Sequence, residues 1–135
     1  MLGEFLGEEN GQITGTRVLP SQGHGPAIEV SFQASGNLLG HATTDMGTYT
    51  ATPRPDGCLA GEGQGIVMTA DGESAAWTAQ GVGRVTGKGL EASWRGALFY
   101  TTQSAKLARL NGIAIVFEYE VDANGKTNAK TWEWK

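Results

Sequence analysis

Apolar and polar positions along this chain alternate with a period of two over most of its length, the signature of half-buried β-strands. The clearest run is near the C-terminus. There Ile113, Ile115, Phe117, Tyr119 and Val121 share one face while Ala114, Val116, Glu118 and Glu120 share the other. A second run sets Ala92, Trp94, Gly96, Leu98 and Tyr100 against Glu91, Ser93, Arg95, Ala97 and Phe99. Residues 27–34, 45–52, 58–69 and 73–85 also read as extended, and residues 126–134 supply a final strand. One segment breaks the pattern. Ser104 can cap a short helical turn over residues 104–110, with Leu107 and Leu110 on one side, Lys106 and Arg109 at its C-terminal end, and Asn111-Gly112 stopping it.

Turn chemistry punctuates these runs. Asn10-Gly11, Asp56-Gly57, Asp71-Gly72, Asn111-Gly112 and Asn124-Gly125 supply the positive φ angles that tight hairpins require. Pro53 through Gly57 reads as a turn by the same logic, and Pro20 through Pro26 as a loop. Seven to nine strands joined mainly by hairpins leave a sandwich or a barrel. The glycines favour the barrel. Gly61, Gly63 and Gly65 fall on one face of a strand, and Gly81 and Gly83 share the face of Trp77 and Ala79 on the next. Glycine inside a strand costs roughly 0.5–1 kcal/mol relative to alanine, so matching bare faces need a compensating reason. Sharp coiling of a small barrel is one; room for an aromatic ring from a neighbouring strand is another. The expected fold is all-β: a closed antiparallel barrel of about eight strands, residues 1–135 forming a single domain, with one short helical turn near the C-terminal third.

Composition narrows the chemistry. A net charge of −4, with no run among the 10 Lys and Arg, opposes binding to nucleic-acid phosphates. The single cysteine, Cys58, has no intrachain disulfide partner and reads as a small packed hydrophobe. His24 and His41 lack metal-ligand spacing, so no metal is expected. Gly61-Glu62-Gly63-Gln64-Gly65 is followed by a β-like run, not the helix a phosphate loop needs, and no serine sits in a G-x-S-x-G elbow. No cofactor is expected. The opening residues carry acidic side chains and no basic region of the kind that begins a signal peptide, and no apolar run has the length to span a bilayer. A cytoplasmic location without membrane or nucleic-acid partners is the default expectation.

The aromatic residues are more informative. Trp77, Trp94, Trp132 and Trp134, with Tyr49, Tyr100 and Tyr119, either fill a core over glycine-bare backbone or line a cavity for a small apolar ligand. A barrel of about eight strands is the size at which the lumen either fills with side chains or holds one small molecule. Arg95 and Glu118 each interrupt a partly apolar face. Facing inward they would form a buried pair; facing outward they would both be solvated. Trp132 and Trp134 share a strand face that suits contact in a homo-oligomer.

Several segments carry a family likeness. Gly61 to Gly65, Gly81-Val82-Gly83-Arg84, Trp94-Arg95-Gly96, the stretch from Thr101 to Gly112, Phe117-Glu118-Tyr119 and Trp132-Glu133-Trp134 resemble small bacterial proteins of unknown function with the allene-oxide-cyclase-like barrel. The resemblance covers roughly residues 58–135. It implies an eight-stranded antiparallel barrel, a short helical element and self-association. The plant cyclases that name this fold are trimers holding a fatty-acid-derived epoxide in an apolar lumen. No position here matches their catalytic motif, so no catalytic residue is carried over.

The leading functional expectation is therefore binding of a small, mainly apolar molecule in the lumen. Trp77, Trp94, Tyr100 and Tyr119 would line the cavity, and Arg95 or Glu118 would orient a polar end of the ligand. The alternatives are an isomerase or cyclase using Glu118 or a tyrosine as acid or base, and an oligomeric structural module with a solid barrel.

Overall fold

Each alternating run becomes a strand, and the strands close on themselves. The computed structural model describes residues 2–135. Its elements are β1 (Leu2–Ser21), β2 (Pro26–Leu38), β3 (His41–Pro53), β4 (Leu59–Thr69), β5 (Ser74–Val85), β6 (Ala92–Thr101), β7 (Ile115–Val121) and β8 (Lys126–Trp134). Every strand pairs antiparallel with its sequence neighbours, and β1 pairs with β8 to close an up-and-down barrel of eight strands. Closure removes the two full-length edges of an open sheet, though β1 beyond Gln12 pairs with β2 alone.

The first strand corrects the reading of the N-terminal segment. Asn10-Gly11 is not a hairpin turn but lies in mid-strand: Asn10 pairs with Ser35 of β2 and with Asn128 of β8. The 20-residue β1 serves both neighbours by means of register shifts, such as those between Phe5 and Gly7 and between Ile13 and Gly15. Such bulges add the local coil that a long closing strand needs. The loop expected from Pro20 to Pro26 shortens to residues 22–25. The other Asn-Gly and Asp-Gly pairs are turns, with Gly57, Gly72, Gly112 and Gly125 all at positive φ. The β2–β3 turn uses Leu39 (φ 53°) and Gly40 (φ 81°). Leucine is strained in this region. Its backbone N–H bonds the Leu6 carbonyl at 2.9 Å and its side chain packs on the core, which holds it there.

The helical expectation is met only by a single 3-10 turn, Ala108–Leu110, the one helical element among the described residues. Ser104 Oγ accepts a hydrogen bond from the Leu107 N–H at 3.2 Å. Leu107 and Leu110 are completely buried. They join Leu6, Leu38, Val67, Leu98 and Ile115 in a cluster that stops one end of the barrel. Towards the other end Ala92, Trp94, Tyr119 and Val121 form a second cluster, flanked by Ile13, Leu59 and Leu90. The candidate site lies between the two.

Candidate functional site

The lumen is shaped by indole rings lying on bare backbone. A methyl group placed on Gly65 or Gly47 would come within 2.4 or 2.5 Å of Trp77 ring atoms. One placed on Gly61 or Gly83 would come within 2.5 or 2.7 Å of the Trp94 ring. Side chains at these positions would displace the rings, so the glycine faces read from the sequence exist to seat them. Phe32 occupies the middle of the aromatic group, with ring centroids 6.2 Å from Trp77, 6.2 Å from Tyr49 and 5.7 Å from Tyr119. Tyr49 in turn lies 5.7 Å from both Trp94 and Tyr119, edge to face. Aromatic rings at these separations attract each other edge to face or in offset stacks.

The rings leave a cavity of about 100 Å³ walled by Phe32, Tyr49, Trp77, Trp94, Tyr100, Phe117 and Tyr119, with Gly61, Gly63, Ala79 and Gly81 supplying bare wall. Four of the residues singled out from the sequence, Trp77, Trp94, Tyr100 and Tyr119, are brought together on this wall. The other two are not. Arg95 and Glu118 face each other across β6 and β7 on the outside of the barrel, where their side chains are 51% and 46% exposed. The reason is strand alternation: with Trp94 and Tyr119 turned inward, their chain neighbours must turn outward. Arg95 pairs there with Glu120 at 2.8 Å and more loosely with Glu118 at 4.0 Å. Neither can orient a ligand inside the lumen.

The polar groups inside are instead Glu9 and Asp45. Asp45 shares a β3 face with Thr43, Gly47 and Tyr49, is only 7% exposed, and accepts a hydrogen bond from the Trp77 indole N–H at 2.9 Å. Glu9 pairs in register with Gly36 of β2, and Gly36 pairs with Thr43 of β3. Because Gly36 carries no side chain, Glu9 reaches over it to Asp45, and the two carboxyl groups meet in hydrogen-bond contact. Burial and then the neighbouring Asp45 carboxylate push the Glu9 carboxyl up to about 9. Burial also raises Asp45, against the opposing pull of hydrogen bonds from Glu9, Trp77 and the Met46 amide. Glu9 therefore keeps its proton at neutral pH, and the two carboxyl groups titrate as a pair.

The phenols around the pair are buried as well. Tyr100 is pushed up by burial and by both carboxyl groups, and Tyr119 by burial and the adjacent Tyr49. Tyr119 is 8% exposed, and apart from the neighbouring Tyr49 hydroxyl, which lies close enough to perturb it, its own hydroxyl has no hydrogen-bond partner among the described residues. A buried hydroxyl left unpaired is costly, and such exceptions in native folds often mark a place where something else binds.

The lumen pair was missed in the sequence because its two members are 36 positions apart on strands that do not adjoin. The available signals were local: Asp45 alternates in phase with Tyr49, and one of the adjacent Glu8 and Glu9 must point inward on any strand that includes them.

No family model and no curated protein matches the chain. Several solved structures share its fold. One is a conserved protein of unknown function from Rhodopseudomonas palustris, 13% identical, with a TM-score of 0.82 over 98% of this chain and 97% of that one. Another is a protein of unknown function from Clostridium acetobutylicum, 12% identical, with a TM-score of 0.82 over 98% of both chains. A third, described as a β-barrel-like protein from Acinetobacter baumannii, is 12% identical, with a TM-score of 0.82 over all of this chain and 96% of that one. The likeness extends to the whole barrel, not only the C-terminal portion in which the sequence resemblance lies.

Proposed function

We propose that this protein binds a small, mainly apolar molecule in the barrel lumen. The observation that carries the reading is the aromatic cavity itself: a core free to collapse would not hold the carboxyl and phenol groups of Glu9, Asp45, Tyr100 and Tyr119 around space. Phe32, Trp77, Trp94 and Phe117 would contact the carbon body of the ligand, and Glu9, Asp45 and Tyr119 its polar end. A volume of about 100 Å³ suits a single-ring or short branched molecule and is too small for a whole fatty acid. Trp77 and Trp94 report occupancy directly. Adding benzyl alcohol to the purified protein is expected to change tryptophan emission saturably and raise the melting temperature. No change in either, together with a lumen found packed solid, removes the proposal.

A second reading, acid–base chemistry on the bound molecule, is favoured by the Glu9 carboxyl alone. Its pKa near 9 keeps it protonated at neutral pH, as a general acid requires, with the Asp45 carboxyl beside it. This role passes to Glu9 from Glu118, whose exposed position outside the barrel does not serve it. Kinship with the allene-oxide-cyclase-like barrels would accord with either reading of the lumen.

A further inference from the structure

The lumen has an imbalance that its own side chains do not correct. Facing the cavity are the carboxyl groups of Glu9 and Asp45 and the hydroxyl of Tyr119, while the fixed donors, the Trp77 N–H and the Met46 amide, are already committed to Asp45. No lysine, arginine or histidine lines the cavity. Its other two acidic residues, Glu8 and Glu62, alternate with inward positions and meet outward partners: Asn128 bonds Glu8, and Gln80 bonds Glu62. The titratable groups facing the pair are therefore Tyr49 from β3, Tyr100 from β6 and Tyr119 from β7; β2, β4, β5 and β8 present only uncharged residues to the cavity. A negative charge inside a protein ordinarily has a cation or several donors to offset its lost hydration. Here the cation is missing, and among the described residues the N–H donors reach Asp45 but not Glu9 or Tyr119.

We propose that the natural ligand is a small organic amine. Its protonated nitrogen is held by Glu9, Asp45 and the Tyr119 hydroxyl, and its carbon body lies against Phe32, Trp77 and Trp94. This rests on the lumen-binding reading and gives it a ligand class. The amine brings what the site lacks: a positive charge in a cavity that holds two carboxyl groups and no cation, and N–H donors for three groups that can accept. The surrounding rings add attraction, because the negative face of an aromatic ring favours an ammonium close to its centre. A divalent metal fits poorly. Calcium takes six to eight oxygen ligands and magnesium keeps an octahedral water shell, whereas this cavity offers two carboxyl groups and a phenol among aromatic walls. An anion of the same size would meet like charge with nothing to neutralise it.

The test compares benzylamine, benzyl alcohol and benzoate, similar in size and different in charge, by calorimetry and tryptophan emission at pH 7. Benzylamine is expected to bind at least tenfold more tightly than benzyl alcohol, and benzoate at least tenfold more weakly. In a Glu9→Gln/Asp45→Asn double variant the amine's advantage over the alcohol should fall to within about twofold, whatever the change in the alcohol's own affinity. The asparagine oxygen can still accept the Trp77 N–H, and an unchanged near-ultraviolet tryptophan spectrum and an undiminished melting temperature show that the lumen has kept its shape. If the three bind the wild-type protein alike, or the double variant keeps the preference, the amine assignment is overturned while the lumen reading stands. If none of the three binds the wild-type protein, both fall together.

Discussion

Two sets of charged residues sit on this barrel in opposite circumstances. Outside, Arg95, Glu118 and Glu120 lie across β6 and β7, opposite in sign and half exposed to water. Inside, Glu9 and Asp45 come together from β1 and β3, equal in sign, with aromatic rings around them. The outer set is easy to find in a sequence and of little consequence, since exposed ion pairs contribute about 0–1 kcal/mol. The inner pair is hard to find and demanding to keep, because a single buried charge must be offset or protonated. An arrangement that folding alone would not favour is the more informative of the two.

The largest expected effects come from removing what encloses the inner pair. Trp77→Ala should destabilise the protein by about 3–5 kcal/mol, the usual range for deleting a buried tryptophan, measured as a fall in the urea midpoint. Gly65→Ala places a methyl group against the same indole and should cost about 1–3 kcal/mol by overpacking. Its outward neighbour provides the contrast: Gln64→Ala should remain within about 0.5 kcal/mol of wild type. Equal losses at positions 64 and 65 would show that the glycine faces do not seat the rings.

A smaller effect, with a distinctive sign, belongs to Glu9. The folded protein keeps the Glu9 proton up to about pH 9, whereas the ordinary value is 4.5. Between these pH values the folded state binds more protons than the unfolded chain, so this group's contribution falls as pH rises through the window. Asp45 is raised too and acts in the same direction. Outside the barrel Asp71 does the opposite. Hydrogen bonds from Lys106 and Thr69 hold its carboxyl down at about 2, so its stabilisation is present above 3.8 and is lost as pH falls towards 2. Glu9→Gln should therefore raise stability at pH 8 by on the order of 1–2 kcal/mol, flatten the decline between pH 5 and 9, and leave the acid limb unchanged. The smallest effect is expected from Arg95→Ala/Glu118→Ala, within about 1 kcal/mol of wild type at any pH. A larger loss there would contradict the contrast between the two sets.

The sequence made β4 to β8 most legible, because four of the connections from β3 onward carry an Asp-Gly or Asn-Gly signal and the strand faces alternate cleanly. It hid β1, where the same dipeptide at Asn10-Gly11 lies in mid-strand and register shifts break the alternation. The bare faces at Gly61, Gly65 and Gly83 correctly indicated rings, and Trp77 and Trp94 fill them. Arg95 and Glu118 misled for a definite reason. Both neighbouring faces on β6 and β7 are partly apolar, through Ala97 and Phe99 on one strand and Val116 on the other, so periodicity does not identify the inner one. The tryptophan and tyrosine positions do, once the barrel is closed. Glu9 and Asp45 could be paired only after β1 had been placed beside β2, which a pattern read one strand at a time does not provide.

Carbon-13 NMR titration of the side-chain carboxyls tests the central claim most directly. The account predicts that the Glu9 Cδ resonance titrates well above neutrality and moves lower in Asp45→Asn, because the neighbouring charge has gone. A Glu9 midpoint near 4.5, unaffected by that substitution, would place the carboxyl in water and contradict the proton-sharing pair within the lumen.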